Sequence, residues 1–321
     1  MPSHPLIFDW HLLHARRARA AALEPSTFLI ERVGQDLADR LATVLRRFEC
    51  AVDLGTPTDA ARRALAASGK VGTIIAADAL AGAAFLSRPP AKQVDAGEAE
   101  KAAATSADRV LAVAAGLEAL PFRDASLDLV VSVLALQFVD DLPGTLIQIR
   151  RALKPDGLLL AALAGGETLS ELRDAFAAAE AEIEDGVSPR VAPFADVRDM
   201  GALLQRAGFA LPVTDSDRIT VRYASALALM HDLRRMGATN PLRERSRRPL
   251  RRSTLARMME IYAERFSDPD GRIRATVEIL WLSGWAPHES QQQPLAPGSA
   301  RQRLADALGT TENKLPRDED Q

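Results

Sequence analysis

The chain has 321 residues, 47% of them hydrophobic, and a formal net charge of -3, enough apolar material for one large α/β domain with additions. The slight excess of acids excludes a general nucleic-acid binder, whose affinity rests on surplus cations facing phosphate. A single cysteine, Cys50, excludes an internal disulfide and reads as a small core residue. No apolar run approaches the roughly 18 to 20 residues of a membrane span, and no secretory signal is visible, so a soluble protein of a reducing compartment is expected.

Phe8-Asp9-Trp10 opens a basic stretch, with Arg16, Arg17 and Arg19 and no acid before Glu24. Such a stretch also suits an organelle-targeting helix, and the two readings stay open. After Pro25, residues Leu29, Val33, Leu37, Leu41 and Leu45 recur every four positions, widened by Ile30, Val44 and Phe48. This spacing predicts an amphipathic helix against a sheet, so residues 1–49 are expected to form an N-terminal helical cap.

Cys50 to Leu54 is an apolar run that ends in Asp53-Leu54-Gly55, and a helical segment, Ala60 to Ala67, follows. This is how the first strand of a doubly wound sheet turns into its first crossover helix, and a ligand would sit at that turn. An open loop wants glycine at 57 and 59, yet Pro57 and Asp59 stand there. The expected result is a self-capped helix start, with Thr56 as N-cap, Pro57 at the first helical position and Asp59 reaching back. Such capping is worth about 1 kcal/mol, and Asp59 would oppose a ligand carboxylate by about 1 to 4 kcal/mol at contact.

Gly69 ends that helix, and Val71 to Ala77 forms a second strand closing on Asp78. Asp78 is placed either to accept from the two hydroxyls of a ribose or to cap a helix. Leu86 to Asp108 is polar, a solvated loop or helix. Arg109 to Ala115 returns to strand character, and Leu127 to Leu136 reads as the longest strand. A helix over Leu142–Leu153, a turn at Lys154-Pro155-Asp156-Gly157 and a strand over Leu158–Ala164 complete an alternation that implies a parallel sheet with right-handed crossovers.

Helices follow at 169–182 and 197–207, then a strand at Arg218–Tyr223, a helix at Ala224–Met236, an arginine-rich segment (Arg243, Arg245, Arg247, Arg248, Arg251, Arg252), a helix at Ser253–Phe266 and a closing strand at Thr276–Trp285. The arginine run reads as a solvated segment or as a receiver for an acidic partner surface. Residues 50–300 are taken as the main domain, with a helical insertion at about 224–270, and residues 301–321 as a disordered charged tail. His11 and His14, one helical turn apart near His4 and Asp9, could in principle offer ligands to iron, but an exposed helix carries histidines without any metal, and none is expected. No G-x-G-x-x-G follows the first strand, which argues against a nicotinamide oxidoreductase.

Asp53-Leu54-Gly55, Asp78, Leu120-Pro121-Phe122, Asp128-Leu129-Val130 and the hinge Leu153 to Gly157 resemble the motif series of class I S-adenosyl-L-methionine (SAM) methyltransferases over residues 50–165. Outside it lie Ile7-Phe8-Asp9, Val139 to Pro143, Gly165 to Leu169, Ser188 to Phe194, Leu203 to Phe209 and Gly284 to Gln291. With these, residues 6 to about 300 resemble the assembly factor 5 family of NADH:ubiquinone oxidoreductase (respiratory complex I), a near relative of the malonyl-carrier-protein methyltransferase of biotin synthesis.

That resemblance implies an α/β fold, a doubly wound, seven-stranded, Rossmann-like methyltransferase sheet with the helical cap and insertion already described. It implies a role in maturing an iron-sulfur subunit of complex I, by arginine hydroxylation or as a chaperone, in the bacterial cytoplasm or, alternatively, the mitochondrial matrix. SAM is the implied cofactor. Asp53, Gly55 and Thr56 would shape its methionine end, Asp78 its ribose contact and the Gly116-Leu117 backbone its adenine edge, while Trp10, Gln137 and Phe138 would face the substrate. Gly116 stands where relatives keep an acid, and with Pro57 and Asp59 it predicts a weakened site. The alternative is an active SAM methyltransferase acting on a carboxylate or protein substrate.

Overall fold

β1 (Phe48–Leu54) lies in the middle of the sheet because both its faces are apolar, with Ala51, Val52 and Leu54 fully buried. In the computed structural model, which describes residues 6–79, 109–184, 186–292, 305–306 and 309–311, β1 pairs in parallel with β2 (Val71–Ala77) on one side and β4 (Leu127–Val133) on the other. β3 (Arg109–Val113) extends the sheet beyond β2, and β5 (Leu153–Ala164) extends it beyond β4, both in parallel. The parallel alternation expected up to Ala164 holds, and the far side adds antiparallel pairings: β7 (Ile273–Trp285) runs antiparallel to both β5 and β6 (Ala210–Tyr223), giving the order β3-β2-β1-β4-β5-β7-β6.

Two element lengths also depart from expectation. β4 stops at Val133, where Leu134 takes a left-handed conformation (φ 52°) and a short 3-10 turn follows at Leu136–Phe138. β6 begins at Ala210 rather than Arg218; its alternating inward and outward residues hide a long edge strand among polar side chains. Lys154 to Gly157 is not a separate turn but an irregular start of β5, with Asp156 at φ 62° and a register shift opposite Leu127–Leu129.

Helices cover both faces. α1 (Trp10–Ala22) and α2 (Phe28–Thr43) precede the sheet, and α3 (Ala60–Ala67) follows β1. The four-residue repeat of α2 buries Ile30, Val33, Leu37 and Leu41 against Phe48, Ala51, Val131 and Trp281, each side chain contributing roughly 1.5 to 3 kcal/mol relative to exposure. Leu45, expected in that stripe, is 97% exposed because the helix ends at Thr43, where Lys70 Nζ donates to the carbonyls of Leu41, Ala42 and Val44. Arg40 then fastens α2 to the antiparallel edge, forked onto Asp215 at 2.7 and 2.8 Å and lying 4.4 Å above the ring of Trp281.

On the opposite face, α4 (Leu142–Ala152) and α6 (Val197–Arg206) bury Leu146, Ile149, Met200, Leu203 and Leu204 over β1, β4 and β5. α5 (Ser170–Ile183) packs with the inserted helices α7 (Ala226–Arg235) and α8 (Arg252–Phe266) around Phe176, Leu229, Met258, Ile261 and Tyr262. The insertion between β6 and β7 therefore shares an apolar core with α5. Cys50 is half-buried rather than buried, and its thiol pKa is raised by burial and by the charge of Asp128.

The N-terminal segment is stitched onto this body by main chain. Asp140 Oδ1 accepts from the N–H groups of Ile7 and Phe8, Asp9 donates its N–H to Pro241, and Phe8 bridges Leu242. Arg243, expected to be solvated, donates to the carbonyl of Phe8, and Arg245 pairs with Asp9 at 3.2 Å. The chain divides into two compact units, Met1–Pro287 and His288–Gln321. The polar stretch at 86–108 and most of the expected tail lie outside the described residues.

Candidate functional site

Three neighbouring strands end together, and their last residues are linked through the backbone. Gly55 donates to the carbonyl of Ala77 (2.8 Å), Asp78 donates to Val113 (3.2 Å), and Ala115 donates to Asp78 (3.2 Å). Asp53, Gly55, Asp78 and Gly116-Leu117 therefore stand together at the carboxyl ends of β1, β2 and β3, the place of the crevice in which open α/β sheets bind ligands. Gly55 has φ +72°, and a Cβ built on it would lie 2.6 Å from Leu117 Cδ2 and 3.1 Å from Ala135 Cβ. Only glycine satisfies both the conformation and the contact. Gly116 is exposed with open space beside it, while the Leu117 side chain turns into the core.

The turn after Gly55 is not capped as expected. Thr56 is not the N-cap: its hydroxyl points inward and accepts from the N–H of Val133 at 3.1 Å, closing β1 against β4. The sheet thus takes the oxygen that the helix would have used. α3 starts at Ala60 with Asp59 as N-cap and no side-chain capping bond, Pro57 lies upstream of the helix, and Thr58 Oγ1 accepts from Ala60. Asp59 reaches forward rather than back, pairing with Arg63 at 3.1 Å, and Arg63 is itself held by Glu31 at 2.6 Å. The charge expected to repel a ligand is thereby shared with a guanidinium.

Asp53 is 1% exposed. One carboxylate oxygen meets Arg62 Nη1 at 2.7 Å, and the other has no hydrogen-bond partner. Burial pushes its pKa up to about 6, against the opposing pull of the Thr56 hydroxyl and Arg62, with the charge of Asp78 adding a smaller push upward.

Beside the crevice lies a cavity of about 530 Å³, a size ordinary for a small-molecule site. It is walled by α1, the start of α2, the end of β4, the Gly165–Leu169 turn, the 190–194 loop and the insertion. Gln137 and Phe138, both expected to face a substrate, line it. Gln137 donates to the carbonyl of Leu134 at 2.9 Å, leaving its buried Oε1 without a partner. Trp10 is not among the lining residues; it packs in the cluster of Phe8, Leu13 and Phe138 and meets His14 edge-on at 5.7 Å. Burial lowers the pKa of His14, and Asp78 opposes the shift.

Two lining residues, Leu134 and Leu169, hold left-handed backbone at φ 52° and 56°. Such conformations cost of order 1 to 3 kcal/mol each and gather at ligand sites. Sequence reasoning gave neither a site role, nor Arg190 or Tyr223, although Leu169 and Arg190 lie in stretches that carry the family resemblance. Arg16 and Arg17 were visible only as part of a basic stretch; they are cavity wall.

The strand order and the crevice define a protein of the class I methyltransferase fold. The family model for a methyltransferase domain matches residues 52–161. The structure resembles that of a Bacillus halodurans protein described as a methyltransferase, with TM-score 0.51 and 16% identity, over 79% of this chain and 100% of that one. Beyond the fold, the chain is 35% identical to the arginine-hydroxylase NDUFAF5, mitochondrial, of Danio rerio, over 94% of this chain and 89% of that protein. It is 39% identical to the malonyl-[acyl-carrier protein] O-methyltransferase of Halorhodospira halophila, over 59% of this chain and 62% of that protein. The chain belongs to the NDUFAF5 arginine-hydroxylase family. No helix among the described residues is long and apolar enough to cross a membrane.

Proposed function

We propose that this chain is an assembly factor for respiratory complex I that modifies an iron-sulfur subunit, with hydroxylation of an arginine as its reaction. The observation that carries this reading is the reach of the likeness to the Danio rerio arginine-hydroxylase, which spans 94% of the chain while the methyltransferase domain accounts only for residues 52–161. The insertion, which forms part of the cavity wall, falls within that likeness. The protein would work in the compartment where the subunit matures, the bacterial cytoplasm or the mitochondrial matrix. Peptide mass spectrometry of the iron-sulfur subunits, from the host with and without the gene, tests the reading. One arginine peptide should lose the mass of one oxygen atom on deletion, and an unchanged set of masses would refute it.

A second reading, a working SAM methyltransferase on a carboxylate or protein substrate, is favoured by the crevice itself. Asp78 would accept from the ribose hydroxyls, the exposed backbone at Gly116-Leu117 would meet the adenine, and the bare oxygen of Asp53 beside Gly55 and Thr56 would take the ammonium of the methionine end. The residue types suit the cofactor, and Gly55 leaves beside its Cα the space that a Cβ would take from Leu117 and Ala135. SAM supplies a methyl group on a sulfonium, whose transfer requires chiefly in-line positioning of a nucleophile. Titration calorimetry with SAM and its demethylated product separates the readings: micromolar affinity supports a competent cofactor site, and no heat at millimolar ligand removes the methyltransferase activity from consideration.

A further inference from the structure

The cavity beside the crevice is unusual in its charges. Five arginines stand among the residues lining it (Arg16, Arg17, Arg190, Arg235 and Arg245), and no aspartate or glutamate does among the described residues. Four of the five are committed to the fold. Arg16 donates to the carbonyl of Asn240, Arg190 pairs with Glu180 at 2.6 Å, Arg235 donates to the carbonyl of Glu24 at 2.6 Å, and Arg245 pairs with Asp9 at 3.2 Å.

Arg17 is the exception. Among the described residues it makes no hydrogen bond and no ion pair; its guanidinium lies 5.7 Å from the centre of the Phe138 ring. Burial lowers its pKa, and the charge of Asp78, across the crevice, opposes that shift. A guanidinium presents five N–H donors in a fixed fork that a carboxylate accepts in pairs, and that of Arg17, part-buried, stands in the cavity wall. Much of the rest of the wall is apolar, including Phe176, Phe194 and Met230, beside uncharged polar residues such as Gln137, Thr168 and Asn240.

From this juxtaposition we infer that the cavity is a binding site for a small amphipathic carboxylic acid, its carboxylate forked onto Arg17 and its apolar body against Phe138 and the insertion. The site discriminates by charge. Like charges facing each other in a partly desolvated pocket repel, so a guanidinium or ammonium group is excluded from the place a carboxylate takes. Under the proposed arginine hydroxylation, the target side chain therefore does not occupy this cavity, which is left to a separate acidic ligand. The inference stands on the cavity's own charges and does not need that reaction to be correct.

The test uses the full chain and three probes that share one apolar body: 4-phenylbutyrate, its methyl ester and 4-phenylbutylamine. Calorimetry or ligand-observed NMR should show the acid binding at least tenfold more tightly than the ester, and the amine more weakly still. Arg17→Gln should reduce affinity for the acid at least tenfold and leave the ester unchanged, with Arg17→Lys restoring part of the loss. Equal binding of the three compounds, no binding of the acid at millimolar concentration, or an Arg17→Gln variant that binds the acid as tightly as the parent would each overturn the inference. Should Arg17→Gln fail to fold, the ranking of the three probes on the unaltered chain decides the matter alone. Because the readout is binding, its failure leaves the mass-spectrometric test of arginine hydroxylation untouched.

Discussion

Asp53 keeps one oxygen on Arg62 and the other bare, in a position 1% exposed. Its pKa rises from the ordinary 3.8 to about 6, so the folded chain holds a proton there that the unfolded chain has released. The contribution to stability is therefore fully present below about pH 4 and is lost as pH rises through about 6, a change of about 3 kcal/mol. Urea unfolding at pH 4, 5, 6 and 7 should show the parent losing stability relative to Asp53→Asn across that window; a pH-independent difference would contradict the burial argument. Asp59 offers the complementary check. Since Arg63 already shares its charge, Asp59→Ala should change SAM affinity less than about threefold, corresponding to roughly 0.6 kcal/mol. A tenfold gain would revive the repulsion that the sequence suggested. At this scale the sequence was a partial guide. The positions of Asp53, Gly55, Asp78 and Gly116 at strand ends were readable from apolar runs and their terminators, whereas the direction of the Thr56 hydroxyl depended on β4, seventy-seven residues away.

Among elements, the clearest dependence is that of the N-terminal segment on the loop before α4. Asp140 Oδ1 receives two backbone donors, Ile7 at 2.8 Å and Phe8 at 2.9 Å, while Glu118 Oε1 receives the N–H groups of Asp140 and Asp141 at 2.5 and 3.0 Å. Asp140→Ala should cost about 2 kcal/mol and raise hydrogen exchange at residues 6–9 well before the central strands exchange. Uniform protection in the variant would mean that the Phe8–Leu242 bridge suffices. Gly55→Ala meets both a left-handed backbone and Leu117; a loss of about 2 to 3 kcal/mol is expected, part of it recovered by adding Leu117→Ala. Element existence followed from periodicity: the four-residue stripe of α2, the apolar runs of β1, β2 and β5, and the helices of the insertion all stand near their expected places. What failed was length, and strand direction on the far side was not legible. β6 conceals eight further strand residues in a polar alternation, and nothing local to β7 tells it to run against β5; that follows from where the insertion returns the chain.

For the molecule as a whole, α1 and the 235–245 segment close one side of the cavity together. A chain lacking residues 1–25 should keep the seven-stranded sheet, because no strand pairs with that segment apart from the single bridge at Phe8, but should uncover Phe138, Ala192 and Leu242. Circular dichroism with a retained strand signal, together with a severalfold rise in anilinonaphthalene sulfonate fluorescence, would bear this out; loss of the strand signal would show that the cap is needed for the sheet. The methyltransferase class was legible from motifs in residues 50–165. The cavity was not, since its walls are drawn from segments far apart in sequence, and the stretch that supplies Arg17 was readable only as basic.

The bond from Arg243 to the Phe8 carbonyl spans 235 positions, and this sets an order of events during synthesis. At the usual pace of translation, Phe8 emerges roughly 10 to 50 s before the residues that dock it. The segment around Phe8 is thus made well before the residues that fasten it. Until then the nascent chain carries an open-sided pocket with Phe138 facing solvent, and a product truncated before residue 240 can build most of the sheet yet never shut that chamber.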